Sequence, residues 1–323
     1  MVVCAILLTG ASLTASVFFM QVAVLPLMFR YSKTVQRKMV FSNCINYPKN
    51  MDFENPSSCN VMGGRNFTIE FQSKVDNRPI KIGIWHFVPS SVLRELMSVN
   101  DEKTICDRLQ RELENTHNTI VLYCHGYGDS SNVRPTESGV VEDALKVYSW
   151  LSGVVDERRR PMIVLWGHSL GTAIAANLVA NLDDLCRSNN QKCLPAPDAL
   201  VLEAPFNNLL DEIEKHPFSK LVSWLPYYKQ SFVKPFSTST EYSFTTDEYL
   251  ARVTNLPLLI LHSKGDRIVP YELAVKLYEC VAQSRIKGGA VLQFHVFDRG
   301  HNDLCEAKKL PGVVRDFLNV IKK

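Results

Sequence analysis

Pro161-Met-Ile-Val-Leu-Trp-Gly-His-Ser-Leu-Gly-Thr-Ala-Ile-Ala-Ala-Asn-Leu-Val179 is the stretch that decides the fold of this 323-residue chain. A short apolar run that suits a buried strand stops at Gly167, and a helix-forming run starts directly after Ser169. A G-x-S-x-G sequence between a strand and a helix is typical of a nucleophile elbow. The two glycines let strand and helix approach closely, and the strained turn holds the serine hydroxyl at the sheet edge. We therefore predict that Ser169 is a catalytic nucleophile.

A nucleophilic serine needs a base, and the base needs a carboxylate that orients it. In proteins with such an elbow, the acid and the histidine follow the serine in that order, each on a loop after a later strand. Residues 256–262 and 290–297 have the composition of buried strands, and Asp266 and His301 lie on the loops that leave them. Ligands bind at this edge of open α/β sheets. The order and the context predict a Ser169–Asp266–His301 triad.

Each member of this triad has a competing interpretation. Asp266 is also typical of a turn residue after glycine, and His301 of an exposed loop histidine. Glu203, at the end of another apolar run, is a second candidate for the acid. His295 is a second candidate for the base, but it lies inside a strand, where a structural role is expected.

The composition is that of an ordinary enzyme domain, with 46% hydrophobic and 21% charged residues. A net charge of +3 without a basic stripe excludes a nucleic-acid footprint. The nine cysteines show no C-x-x-C spacing, so we predict neither a zinc site nor any cofactor. In an oxidising compartment Cys44 could pair with Cys59, or Cys186 with Cys193; free thiols are expected for Cys124 and Cys280.

The amino-terminal run from Val2 to Phe29 carries no charged side chain and is long enough to cross a bilayer. We predict a transmembrane anchor rather than a cleaved signal peptide, because no positive charge precedes it. The basic residues that follow, Arg30, Lys33, Arg37 and Lys38, favour a cytosolic location for the rest of the chain. The sequon Asn66-Phe67-Thr68 matters only in a lumen, so composition leaves the sidedness open.

The remainder divides into a polar linker with the first strand (residues 30–78) and a catalytic domain (79–323). Two early strands, near 66–71 and 78–88, precede a charged amphipathic helix over 91–115. Strands and helices then alternate, which predicts an α/β fold with a mostly parallel sheet covered on both faces. Residues 207–247 interrupt this alternation with prolines and large apolar groups, and we expect a cap of short helices there.

Several segments together resemble the membrane-anchored lysophosphatidylserine and monoacylglycerol lipases, a branch of the α/β-hydrolase-domain proteins. They are Ile84–Pro89, Trp166–Asn177, Ala204–Asn207, His216–Ser219 and Leu259–Pro270. The resemblance covers most of the chain and implies Ser169 as nucleophile, Asp266 as acid and His301 as base. It also implies an anchor in the endoplasmic reticulum membrane with a luminal catalytic domain.

One departure from the family pattern lies after the strand that ends in Cys124. In the family a His-Gly pair leads into an oxyanion loop, a helix and a further strand before Tyr-Gly-Asp-Ser. Here His125-Gly126 runs directly into Tyr127-Gly128-Asp129-Ser130, so about thirty residues, the size of one crossover and its strand, are missing. A natural short loop is the alternative interpretation.

This departure affects the oxyanion hole, which takes one N–H from the residue after the nucleophile and one from the loop after His-Gly. Those residues are Leu170 and, across an altered turn, Tyr127. The missing strand would also leave its neighbours with unpaired edges.

The expected function is hydrolysis of single-chain lipid esters: lysophosphatidylserine, other lysophospholipids or monoacylglycerol. The partners are thus a lipid substrate and a membrane. Apolar side chains of the cap could line an acyl site or simply pack the cap on the core; they are Phe218, Leu221, Val222, Trp224, Leu225, Tyr227, Tyr228, Phe232 and Phe236. The alternatives are a non-catalytic variant with an incomplete oxyanion hole, and an acyl-protein thioesterase if the domain faces the cytosol.

Overall fold

The computed structural model describes residues 13–42, 52–59, 63–96, 102–126, 134–156, 158–285 and 288–322. The strands of this part of the chain are β1 (Gly64–Gln72), β2 (Pro79–Phe87), β3 (Ile120–Cys124), β4 (Ile163–His168), β5 (Ala199–Glu203), β6 (Leu258–Ser263) and β7 (Leu292–Phe297). Its longer helices are α1 (Leu13–Tyr31), α2 (Lys33–Phe41), α3 (Ser90–Leu96), α4 (Glu102–Asn115), α5 (Glu137–Val154), α6 (Leu170–Ala180), α7 (Leu182–Ser188), α8 (Leu209–Lys215), α9 (Lys234–Ser237), α10 (Thr246–Ala251), α11 (Tyr271–Ser284) and α12 (Leu310–Ile321).

Strands β3 to β7 form a five-stranded parallel sheet in the order β3-β4-β5-β6-β7. Their carboxyl ends are in register, since Cys124 pairs with Gly167 and Ser263 with Phe297. Strands β1 and β2 form a separate antiparallel hairpin. The predicted α/β fold with a mostly parallel sheet is confirmed.

Helices cover both faces of the sheet, but not evenly. On one face α5, α6, α7, α10 and α11 enclose a core centred on Leu145, Leu165, Leu200 and Ile260. On the other face α12 inserts Phe317 against Val164, Val201 and Leu259. The apolar runs of β4, β5 and β6 are therefore buried on both sides, as expected for a parallel sheet.

Strand β3 is the exception to this burial. Val121 and Tyr123 pair with Val164 and Trp166, so they point to the face of the sheet that α12 covers. They remain 49% and 52% exposed. Within the described residues β3 pairs only with β4, which makes it an edge strand with one face uncovered. This agrees with the expectation that a neighbouring strand and helix are missing.

The segment expected to be a polar linker is partly helical. The Ser32 hydroxyl caps α2 by accepting a hydrogen bond from the Val35 N–H at 3.3 Å. Val40 and Phe41 of α2 are buried, and the Phe41 ring packs against Tyr242 and Phe244. The pattern of polar residues and prolines hid this helix because only one narrow stripe of it is apolar.

Residues 207–247 contain α8, a 3₁₀ turn (Pro217–Leu221), a π turn (Lys229–Val233) and α9. The helix expected over 91–115 is described as two helices, α3 and α4, on either side of residues 97–101, which lie outside the described residues. The boundaries 1–29, 30–78 and 79–323 stay predictions.

The proposed pairing of Cys186 with Cys193 is wrong. Cys186 is buried in the core on α7, whereas Cys193 is exposed and its thiol donates to Asp183 Oδ1 at 3.0 Å. Cys124 and Cys280 are free thiols, as expected. Cys44 lies outside the described residues, so its pairing with Cys59 stays a prediction.

Candidate active site

Ser169 occupies the turn between β4 and α6 in a strained backbone conformation, with φ 52° and ψ −121°. A non-glycine residue at positive φ is uncommon and marks functional turns. The Ser169 N–H donates to the carbonyl oxygen of Glu203 at 2.9 Å, which fixes the turn to β5. A β-carbon on Gly171 would collide with the Cys124 carbonyl, so only glycine permits this close approach. The predicted elbow is present.

The structure brings the three predicted residues together. His301 Nε2 lies 3.1 Å from Ser169 Oγ, and His301 Nδ1 lies 2.7 Å from Asp266 Oδ2. Because a carboxylate only accepts hydrogen bonds, Nδ1 carries the proton and Nε2 is free to accept the serine proton. The arrangement can therefore remove a proton from Ser169.

Asp266 is held as a buried carboxylate. Its Oδ1 accepts hydrogen bonds from the Ile268 and Val269 N–H groups at 2.8 and 2.9 Å. Burial opposes ionisation, but the His301 hydrogen bond and charge, followed by the Ile268 N–H, hold the pKa of Asp266 below its usual value. The charge needed to orient and stabilise His301 is thus present at neutral pH.

Two residues that the sequence did not indicate support the acid. His262 is fully buried, its Nε2 donates to the Val269 carbonyl at 3.1 Å, and burial lowers its pKa. Ser263 Oγ accepts from the Arg299 N–H at 2.7 Å and donates to the Arg299 carbonyl. Ser263 therefore ties the loop of Asp266 to the loop of His301.

The two rival residues do not join the triad. Glu203 accepts a hydrogen bond from Trp166 Nε1 at 2.9 Å, and burial raises the pKa of its carboxyl. His295 lies within β7, where its Nε2 contacts Gln293 Oε1 at 3.3 Å. Ser169 and Asp266 are instead hydrogen-bonded to His301.

Relatives of this chain are known by sequence. A lysophosphatidylserine lipase ABHD12 of Danio rerio is 30% identical over 329 residues, covering 91% of this chain and 80% of the relative. The Mus musculus protein of the same name is 30% identical, and the alignment covers 91% of this chain and 76% of that protein. The human protein ABHD12B is 30% identical, with 78% of this chain and 73% of that protein covered. The chain belongs to the ABHD12 family. No model of a protein family matches it.

Solved structures show the same fold. An esterase of Pyrococcus furiosus superimposes with a TM-score of 0.52 at 15% identity, covering 86% of this chain and 98% of the esterase. An acylaminoacyl peptidase of Pyrococcus horikoshii gives a TM-score of 0.51 at 13% identity, covering 83% of this chain and 43% of the peptidase. The fold is the α/β-hydrolase fold, and this member of the ABHD12 family is a hydrolase.

The alignment with the Danio rerio relative also shows that this chain is shorter internally. It extends over 329 positions, whereas 91% of 323 residues is about 294, which leaves about 35 positions without a residue of this chain. That length suits one crossover helix with its strand. It matches the size of the segment that the sequence departure after Gly126 indicates.

Of the two residues predicted to form the oxyanion hole, the structure describes Leu170 and not Tyr127. Leu170 opens α6, and the N–H groups of a first helical turn have no acceptor within the helix. A β-carbon on Gly126 would lie 2.9 Å from Ser169 Cβ, so Gly126, just after β3, lies against Ser169. Tyr127, the expected second donor, lies outside the described residues, and its role stays a prediction.

His168 is a further residue of the site that the sequence alone did not single out. Its Nε2 lies 3.1 Å from the carbonyl oxygen of His301, and the two rings are 5.0 Å apart. Burial and the neighbouring His301 lower the pKa of His168 to about 4. A neutral ring that donates from Nε2 therefore holds the backbone of the base. The position of His168 directly before Ser169 in the elbow is the sequence signal that could have indicated its role.

A cavity of about 750 Å³ opens at Ser169. It is lined by Val121, Tyr123, His125, Gly126, Trp166, His168, Ser169, Glu203, Ile268, His301, Asn302, Cys305 and Leu310. The nine apolar cap residues named above are absent from this lining in the described part of the chain. Five of them, Val222, Leu225, Tyr228, Phe232 and Phe236, are buried in an apolar cluster, which supports packing for these five. The cavity instead extends along the uncovered face of β3.

Proposed function

We propose that this chain is a membrane-anchored serine hydrolase that cleaves the acyl ester of single-chain lipids, with Ser169, His301 and Asp266 as its catalytic residues. The observation that carries the proposal is the continuous hydrogen-bond chain from Ser169 Oγ through His301 to Asp266. The names of the ABHD12 relatives supply the substrate class, which is lysophosphatidylserine. Other lysophospholipids and monoacylglycerol carry the same ester and are included.

The reaction follows from the geometry. Ser169 Oγ attacks the ester carbonyl while His301 Nε2 accepts the serine proton, and the Asp266 carboxylate stabilises the imidazolium that forms. His301 then protonates the departing alcohol, which leaves an acyl-Ser169. Water deprotonated by the same histidine releases the fatty acid. The Leu170 N–H stabilises the oxyanion in both halves, with Tyr127 as the proposed second donor.

A second candidate is a non-catalytic variant, and a specific observation favours it. The strand that carries the donor loop, β3, is an edge strand with Val121 and Tyr123 exposed. Loss of one oxyanion donor lowers the rate by about 10² to 10³. We therefore propose an impaired enzyme, and lipid turnover distinguishes it from an inactive one.

The test is fatty-acid release from lysophosphatidylserine by the purified full chain in detergent, with Ser169→Ala as the matched control. We expect slow release that the control lacks, together with turnover of monoacylglycerol and much less of two-chain phosphatidylserine. Release that is equal in both proteins would contradict the proposal. No release from either would favour the non-catalytic variant.

The proposed location is the endoplasmic reticulum membrane, with a single span and a luminal catalytic domain. Among the described residues, the helix Leu13–Tyr31 is long and apolar enough to cross a membrane, with a mean hydropathy of 1.6. The sequon residue Asn66 lies half-buried on β1, with Thr68 exposed.

A glycan at Asn66 tests this orientation. We expect an endoglycosidase-sensitive mass shift in cells that Asn66→Gln removes, and protection of the domain from protease in intact microsomes. No shift combined with protease sensitivity would place the domain in the cytosol and favour the acyl-protein thioesterase instead.

A further inference from the structure

The carboxyl-terminal half of α1 lies against the cap. The amide of Gln21 donates to the Leu221 carbonyl, and the hydroxyl of Tyr227 donates to the Val22 carbonyl. Phe29 is buried, with its ring 5.9 Å from Phe218 and 4.9 Å from Phe232. The apolar helix and the cap are thus one packed unit from Gln21 onward.

Two large apolar side chains of the cap remain exposed beside this helix. Leu221 and Trp224 are 59% and 56% exposed, whereas Val222 and Leu225 between and beside them are buried. The Trp224 ring stacks on Phe18 of α1, at 6.4 Å between centroids, and Phe18 is itself 56% exposed. We call Phe18, Leu221 and Trp224 the cap–anchor patch. It is continuous with the exposed apolar surface of α1.

The length of the uncharged run indicates where the cap–anchor patch lies relative to the hydrocarbon core of the bilayer. A helix needs about 20 apolar residues to cross the hydrocarbon core. The run from Val2 to Phe29 is longer, and it contacts the cap from Phe18 onward. If the earlier part crosses the core, Phe18 and the cap residues beside it lie at the boundary between hydrocarbon and head groups. Tryptophan is enriched at that boundary, and Trp224 Nε1 already donates to the Leu221 carbonyl at 3.0 Å.

We propose that the cap–anchor patch inserts into the head-group region of the bilayer leaflet that faces the catalytic domain, so that the cap docks on the lipid surface. The occupant is lipid because the patch continues a membrane-spanning surface and is flanked by the exposed cation Lys220. Ile268 lines the cavity at Ser169 and packs on the same apolar cluster as Val222 and Leu225. Docking therefore holds the active site next to the membrane that contains its substrate. This inference rests on the proposed membrane anchor and lipid substrate.

The direct test is tryptophan quenching in the full chain, reconstituted into phosphatidylcholine vesicles with bromine at shallow or deep acyl positions. The chain has four tryptophans, so the difference between wild type and Trp224→Phe isolates the Trp224 emission. We expect that emission to be quenched by shallow bromines more than by deep ones. An emission that brominated lipid leaves unchanged would overturn the proposal.

A second test separates docking from chemistry. Leu221→Asp is compared with Val320→Asp, which changes a similarly exposed side chain on α12, outside the cap. We expect Leu221→Asp to slow hydrolysis of lysophosphatidylserine in vesicles about tenfold, with hydrolysis of a soluble short-chain ester unchanged, and Val320→Asp to change neither. Equal losses on both substrates, or no loss on either, would contradict docking. If even the wild type turns over neither substrate, the proposed function fails. The quenching result still shows whether the cap–anchor patch inserts into lipid.

Discussion

At the scale of single residues, the site depends on how firmly His301 is held. Its ring is fixed by Asp266 and its backbone carbonyl by His168, while Ser263 ties its loop to that of the acid. Preorganisation of this kind places the base within reach of Ser169 before substrate binds. Each contact links residues that are far apart in sequence.

Replacement of the base gives the first prediction. His301→Ala removes the proton acceptor, so hydrolysis should fall by about 10² to 10⁴-fold. His295→Ala, a change inside β7, should leave most of the rate intact because His295 contacts Gln293 instead of the triad. The measurement is ester turnover by a protein with the missing crossover restored. Equal losses from the two changes would mean that the base is misassigned.

The hydrogen-bonded arrangement of Ser169, His301 and Asp266 could be predicted from sequence because each residue follows a local signal. Ser169 lies in a strand–turn–helix motif, and Asp266 and His301 each follow an apolar strand. His168, His262 and Ser263 act through contacts with backbone groups of other loops or turns. No spacing rule encodes such contacts, so only the folded chain shows them.

At the scale of elements, β3 carries the consequence of the shortened chain. Within the described residues the strand has one hydrogen-bonded neighbour, and no described helix covers Val121 and Tyr123. The hairpin of β1 and β2 is correspondingly separate from the main sheet. The loop that would supply the second oxyanion donor leaves this weakly supported strand.

Restoring the crossover is therefore the second prediction. Insertion of the corresponding segment of an ABHD12 relative after Gly126 should cover β3, raise the thermal midpoint, and raise kcat/KM by at least about 10²-fold. A control with the same insertion and Ser169→Ala should gain stability without activity. Comparable kcat/KM with and without the insertion would show that the Tyr127 turn already completes the oxyanion hole.

The third prediction concerns α8. Glu212 is buried, and within the described residues neither of its carboxyl oxygens has a hydrogen-bond partner. Burial, together with the charge of Asp266, raises its pKa to about 8. Unfolding then releases a proton between the pKa of an exposed glutamate, near 4.5, and about 8, so stability declines as pH rises through this window.

The neutral variant Glu212→Gln should escape this decline. Its gain in stability over wild type should be small near pH 4.5 and grow to about 1–4 kcal/mol above pH 8. The exposed neighbour Glu214, as Glu214→Gln, is the matched control and should show no such trend. Thermal unfolding across this pH range measures it. A difference that does not change with pH would contradict a buried neutral carboxyl.

Helices and caps were harder to predict from sequence than the site residues where tertiary packing determines their structure. The helix α2 lay in a segment whose polarity indicated a linker, because its burial depends on Tyr242 and Phe244 of a distant loop. The cap aromatics were compatible with an acyl site and with packing, and composition cannot separate the two. Burial supports packing for Tyr228, Phe232 and Phe236, whereas Trp224 is exposed.

At the scale of the whole molecule, a helix fit to span a membrane packs on the cap of an α/β-hydrolase domain. This arrangement connects the proposed anchor to the site through the cap and Ile268. Hydrolysis by this chain requires that Ser169 be an activated nucleophile in the chain as it stands.

Labelling with a fluorophosphonate probe measures that property most directly, because the probe reacts with an activated serine without needing a complete lipid-binding site. The full chain in membranes should be labelled on the peptide that contains Ser169, with slower labelling for Asp266→Asn and none for Ser169→Ala. Labelling that is equal in the wild type and Ser169→Ala, or that maps to another serine, would contradict the account.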